Sequence, residues 1–158
     1  MSKSNGLPVD KSPISFEVFD AVNKPTEAEK LKIVDFLLEN LEQYGDPKEH
    51  ILKAINYAVK DFSSFGGFVM LINLGLDIHG AVVINQTGMG GYIPENILVY
   101  IAIAKHARGK GIGQSLMNKA LEFAKGDIAL HVEANNPAKK LYERLGFTNP
   151  YLEMRLKR

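Results

Sequence analysis

Ala107-Arg108-Gly109-Lys110-Gly111-Ile112-Gly113-Gln114-Ser115-Leu116 is the stretch that decides how this 158-residue chain folds. An apolar segment, Ile97 to Ala104, runs into it, and Leu116, Ala120 and Phe123 leave it at helical spacing. The order is strand, glycine-rich turn, helix. Glycine lacks a Cβ, so the turn can take backbone angles closed to other residues and lets a ligand come close. The first N–H groups of a helix have no internal partner, and the helix dipole adds partial positive charge there. Such a turn suits a phosphate or pyrophosphate. Arg108 and Lys110, with Lys105, bring formal charge beside it.

Two well-known phosphate loops do not fit. The P-loop spacing G-x-x-x-x-G-K-[ST] is absent. The dinucleotide fingerprint G-x-G-x-x-G fails because the third glycine comes too early, and no suitably placed acidic residue follows. A turn whose glycines serve packing alone is the plain alternative.

The length is that of about one domain and allows a sizeable core. A net charge of +1 gives no reason to expect nucleic acid or an acidic membrane as partner, so basic residues must act locally. With no cysteine, disulfides, thiolate catalysis and cysteine-ligated zinc are excluded, and a reducing compartment fits. The four histidines are scattered, with no H-x-x-x-H pair or carboxylate cluster, so no metal is expected. No apolar run reaches membrane-spanning length, and the polar stretch Met1 to Lys11 does not read as a signal peptide. The expectation is a cytoplasmic protein.

Residues 1–13 read as a flexible arm and residues 14–158 as one domain. A first strand is expected between Ile14 and Val22. Thr26-Glu27-Ala28-Glu29 is a capping box opening a helix, with Leu31, Val34, Leu38 and Leu41 as its expected apolar face. Asp46-Pro47-Lys48-Glu49 opens a second helix, with proline at the first helical position and Leu52, Ile55, Val59 and Phe62 as the face. Phe68 to Asn73 and Leu76 to Asn85 form a hairpin. Gln86 to Gly91 is a glycine-rich loop. The unbroken apolar run Ile97 to Ala104 predicts a strand buried on both faces. A helix from Gly113 to Lys125 stops at Gly126, and Ile128 to Val132 is a short strand. Asn136-Pro137 starts a helix ending at Gly146, and Tyr151 to Leu156 makes a last strand.

From about Ile97 to its end the chain resembles the GNAT superfamily of N-acetyltransferases. Arg108-Gly109-Lys110-Gly111-Ile112-Gly113 matches the family's [QR]-x-x-G-x-[GA] loop. Asn135, Ala138, Leu141, Tyr142, Gly146 and Phe147 then follow in its N-x-x-A-x-x-L-Y-x-x-x-G-F order. Upstream, only the order of elements agrees: strand, two helices, hairpin.

The resemblance implies an α/β (α+β) fold of the acyl-CoA N-acyltransferase type, a mixed, mostly antiparallel sheet flanked by helices. Two central parallel strands, Ile97–Ala104 and Ile128–Val132, would splay at the glycine loop. It implies acetyl-coenzyme A (acetyl-CoA) as cosubstrate. Its pyrophosphate would lie on Arg108, Gly109, Lys110, Gly111, Ile112, Gly113 and Gln114, and its pantetheine arm along Ile101, Ala102 and Ile103. Asn135, or Asn136 in its place, would bond it from the other side, and Tyr142 would protonate the leaving thiolate.

Many members carry a glutamate base on the strand before the loop. Here that place falls near Val99 and Tyr100, with no carboxylate. Glu95 is the nearest candidate base; Glu133, His79, His106 and His131 are others. The implied reaction is direct attack by an amine, of a small molecule or a protein, on the thioester. A non-catalytic acyl-CoA-binding regulatory module is the alternative. A nucleotide-binding protein using the same loop is disfavoured by the glycine spacing. The resemblance also leaves room for a homodimer, since many members pair through their last strands.

Overall fold

The computed structural model describes residues 13–158; the arm expected over residues 1–13 lies, but for Pro13, outside them. Five strands form one sheet in the order β1-β2-β3-β4-β5. They are β1 (Ile14–Phe19), β2 (Gly67–Leu74), β3 (Asp77–Gln86), β4 (Asn96–Ile103) and β5 (Ile128–Leu130). The first four pair antiparallel; β4 and β5 pair parallel. A parallel neighbour requires a crossover, and α3 (Ile112–Phe123) supplies it.

Helices α1 (Glu27–Leu41) and α2 (Lys48–Ala58) cover one face, and α3 and α4 (Ala138–Arg144) the other. The capping box forms as the sequence predicts: Glu29 N–H donates to Thr26 Oγ1 (3.1 Å) and Thr26 N–H to Glu29 Oε1 (2.8 Å). The first core layer joins Ile33, Val34 and Leu37 of α1 to Ile51, Ile55 and Val59 from α2 and its end. The second joins Leu116, Met117 and Ala120 of α3 to Met70, Ile72, Val82 and Ile84. Each Ile, Leu, Val or Met side chain so withdrawn from water contributes about 1.5–3 kcal/mol before entropy is counted.

The helix faces differ from expectation. Leu31 (47% exposed) and Leu38 (37%) point outward, while Lys30, Ile33, Leu37 and Asn40 turn inward. Two overlapping stripes satisfy the same helical spacing, and the inward one is selected by polar anchors. Lys30 pairs with Asp61, and Asn40 bonds the chain after β4 (3.2 Å from Lys105 N to Asn40 Oδ1). On α2, Phe62 lies past the helix end and is 41% exposed; Ile51 and Ala58 take the core.

β4 carries a bulge. Tyr100 pairs with Val83 and Leu98 with Ile84, so Val99 is an extra residue. Before it Leu98 faces the α3 layer; after it Tyr100 and Ala102 face α1 and α2, and Ile101 and Ile103 face α3. The run is thus covered on both faces, as its apolar sequence predicts. β5 ends at Leu130, two residues sooner than expected.

The expected last strand does not form. Residues 149–158 have no regular structure, and Tyr151, Leu152, Met154 and Leu156 are 85%, 85%, 91% and 78% exposed. Alternation alone does not make a strand, whose N–H and C=O groups need a ladder partner. The three-residue β5 offers almost none.

Candidate functional site

β4 and β5 are paired only from Asn96–Leu98 to Ile128–Leu130. From Val99 to Ile103, β4 has no partner on that side among the described residues, a free edge of about 16 Å at the usual strand rise. The two strands therefore make a fork, closed at Asn96 and open toward the glycine turn.

The turn itself is an open cradle. Gly109 and Gly111 adopt left-handed backbone (φ +77° and +79°), and a Cβ added at either would meet nothing within 4 Å. The conformation needs glycine, and apart from its chain neighbours no atom of the described residues fills the space beside it. Gly111 occupies the cap position of α3 with no side-chain cap. No described residue accepts from the N–H groups of Gly109 to Gln114. Gly113 differs: a Cβ there would lie 3.5 Å from both Ile103 Cγ1 and Leu141 Cδ2, so it seats the helix between β4 and α4. These features fit an anionic, extended ligand: free amides at a helix start for a diphosphate, then a bare strand edge for an amide-bearing arm.

The side-chain charges around the cradle are unequal. Arg108 is spent on the fold: Nε donates to Ile103 O (3.1 Å), Nη1 to Glu42 Oε1 (2.9 Å) and Nη2 to Asn40 O (2.9 Å). Each of its three guanidinium nitrogens thus has a partner within the chain. Lys105 Nζ also leans on Glu42 (3.9 Å). The hydrogen bond from Arg108 holds the Glu42 carboxyl below its usual range, and the nearby cations add to this. Lys110 is exposed and has no ion pair among the described residues.

On the far arm, Asn136 Oδ1 accepts the Ala138 N–H (2.9 Å) and so starts α4. The Asn135 carboxamide is exposed and bonds to no described residue, which favours Asn135 over Asn136 as the one free to meet a ligand. Tyr142, in α4, is 7% exposed with its ring 5.8 Å from that of Phe147. Burial pushes its hydroxyl up to about 12. It therefore stays protonated at neutral pH and can serve only as a proton donor.

Glu95 is elsewhere. Its Oε1 accepts the Asp127 N–H (2.7 Å), which holds its carboxyl below the usual range. It precedes Tyr100 by five residues, about 16 Å along the strand, at the closed end of the fork. In this place Glu95 ties the start of β4 to the start of β5. His79 and His106 stack edge to face 5.0 Å apart below the turn. Among the described residues no group of three or more potential metal ligands occurs. A separate groove of about 470 Å³ lies between β1, α1 and the β2–β3 turn. Its carboxylates are engaged, Glu29 by the α1 cap and Glu17 by Asn73 (3.2 Å).

Sequence reasoning missed the segment from Glu42 to Asp46, which follows α1. It touches both arms of the fork. Glu42 holds Arg108; the Tyr44 hydroxyl donates to Asn135 O (3.3 Å); and Asp46 Oδ2 accepts from the Tyr100 hydroxyl (2.5 Å). These partners lie 54 to 91 residues away, beyond any local pattern. Asn40 alone left a trace, a polar residue in phase with Ile33 and Leu37.

A forked sheet with an open glycine cradle on one arm defines a coenzyme-A-type acyltransferase architecture. A profile of the acetyltransferase (GNAT) domain matches residues 66–149, more than half of the chain. The protein belongs to this family, whose chemistry is acetyl transfer and whose members use acetyl-CoA. Solved structures of the same fold include PH1933 from Pyrococcus horikoshii OT3, with 24% identity, a TM-score of 0.65, and coverage of 90% of this chain and 93% of that one. A ribosomal-protein-alanine N-acetyltransferase from Brucella melitensis biovar Abortus 2308 shares 13% identity at TM-score 0.63, covering 92% and 99%. The aminoglycoside acetyltransferase meta-AAC0020 from an uncultured soil metagenomic sample shares 15% at 0.62, covering 92% and 95%. Among curated proteins none matches the chain significantly. No helix of the described residues is long and apolar enough to cross a membrane.

Proposed function

We propose that the protein moves the acetyl group of acetyl-CoA to the nitrogen of an amine, on a small molecule or a protein, by direct attack. The observation that carries this is the pairing of a bare cradle at Gly109 and Gly111 with the free β4 edge that runs into it. The bound cosubstrate supplies an activated thioester. The chain's part is to hold it and manage protons. Free amides from Gly109 to Gln114 bind the diphosphate, with Lys110 as the unpaired cation. The edge at Ile101, Ala102 and Ile103 aligns the pantetheine arm, and Asn135 meets it from the opposite arm. A β4 N–H near Ile101 polarises the carbonyl oxygen. Tyr142, kept protonated by burial, donates to the leaving sulfur.

Residues 14–158 act as one such domain on this reading. The lack of cysteine supports a cytoplasmic setting. Release of free thiol from acetyl-CoA across a panel of amines is the test. Thiol release that depends on an amine supports the reading. Tight acetyl-CoA binding with no release to any amine would favour the non-catalytic acyl-CoA-binding module instead.

A further inference from the structure

The site as described lacks a group to take the proton from an acceptor amine, which is mostly charged at neutral pH. We propose that Asp46 is that base and that Tyr100 is the positioning residue that aims its carboxylate; this rests on the acetyltransferase reading above.

Tyr100 is the first residue after the β4 bulge, where the fork opens. The bulge turns its side chain to the α1–α2 face, where it is 8% exposed, and its hydroxyl donates to Asp46 Oδ2 (2.5 Å). A phenol bonded in this way holds one oxygen of a carboxylate and leaves the other to a ligand. Among the described residues nothing donates to Asp46 Oδ1, and Asp46 is exposed. The nearest cation in sequence, Lys48, is turned to Asp35 (3.5 Å). The other charged group of the segment, Glu42, is taken by Arg108 and Lys105. Among the described residues Asp46 is thus a carboxylate without a cation, held by Tyr100 where the fork opens. On the opposite face Ile103 and Leu141 lie within van der Waals reach of Gly113, and on this proposal the acceptor approaches from the Asp46 side.

The step balances as a proton transfer. The N–H bond of the ammonium breaks and an O–H bond forms on Asp46 Oδ1; the freed lone pair attacks the thioester carbon, the C–S bond breaks, Tyr142 gives its proton to the departing thiolate, and the proton still carried in excess by the nitrogen restores Tyr142. Asp46 then returns its proton to solvent.

Two nucleophiles separate the base from the rest: benzylamine, which is protonated at pH 7, and hydroxylamine, which is not. Asp46→Asn keeps an acceptor for Tyr100. It should lower kcat/KM for benzylamine about 10²-fold or more, leave hydroxylamine within about tenfold, and regain benzylamine activity as pH rises. Calorimetric titration of benzylamine into the coenzyme A complex should show at least tenfold weaker binding to Asp46→Asn, with acetyl-CoA affinity unchanged. Tyr100→Phe should lower kcat for benzylamine without raising KM for acetyl-CoA. Equal losses for both nucleophiles, or wild-type behaviour with both, would overturn the role of Asp46 while the transferase reading stands. A wild-type protein inert to these two and to every other amine of the panel would overturn the two together.

Discussion

Gly111 and Tyr142 are the two single residues at which the proposed site is most directly tested. At Gly111 the left-handed backbone costs any other residue about 1–2 kcal/mol, yet no neighbour stands in the way of a side chain. Gly111→Val should therefore fold, with a thermal midpoint a few degrees lower, and lose acetyl-CoA binding in a calorimetric titration. Undiminished affinity in the folded variant would remove the cradle's role. At Tyr142 the raised proton affinity comes from burial. Tyr142→Phe should slow thiol release by on the order of 10²-fold or less, since a thiolate leaves readily without help, and leave acetyl-CoA affinity intact. The same group links to stability. The unfolded phenol ionises near 10 and the folded one at about 12, so stability is full below pH 10 and falls as pH rises toward 12. Tyr142→Phe should flatten that alkaline fall, read as thermal midpoint against pH. The left-handed glycines of the turn and the buried place of Tyr142 were legible because each lies within its own backbone or local motif. Asp46 was not: beside Pro47 it reads as a helix opener, and its partner Tyr100 is 54 residues on.

Among the elements, the end of α1 bears most directly on the site. Glu42 has a positive φ (54°), uncommon outside glycine and costing about 1–3 kcal/mol, and Arg108 and Lys105 hold its carboxylate. Arg108 bonds Ile103, Glu42 and Asn40 at once and so fixes α1 to the strand that carries the free edge. Arg108→Ala should destabilise the fold by about 1–2 kcal/mol in denaturant unfolding, with acetyl-CoA affinity changed only a few fold. Arg108→Lys should not restore stability, because one ammonium cannot span the three acceptors. A phosphate ligand would behave in reverse, losing affinity while stability held. The capping box at Thr26 and the glycine stop at Gly126 were readable in sequence, since each is complete within a few residues. The inward face of α1 and the Val99 bulge were not. Both are chosen by packing between layers, where two spacings fit equally well until Asn40 and Lys30 find their partners.

For the whole molecule, the second half of the sequence carried the architecture: strand, cradle, crossover helix and the short α4 stand in the order the motifs predict. The splay between β4 and β5 has no sequence signature of its own. It follows from β5 being only three residues long while β4 has eight. The segment beyond Gly146 escaped the reading for the opposite reason. It has the alternation of a strand but pairs with no strand edge, so its apolar side chains stay in water. The account as a whole requires one ligand path, from the amides at residues 109–114 along the open edge of β4. An amide-resolved NMR titration with coenzyme A follows that path directly. The account predicts saturable shifts at Gly109, Gly111, Ile112 and Gly113 and along Ile101 to Ile103, with little change in β1 or β2. Shifts that avoid the turn and the β4 edge, or none at millimolar coenzyme A, would contradict it.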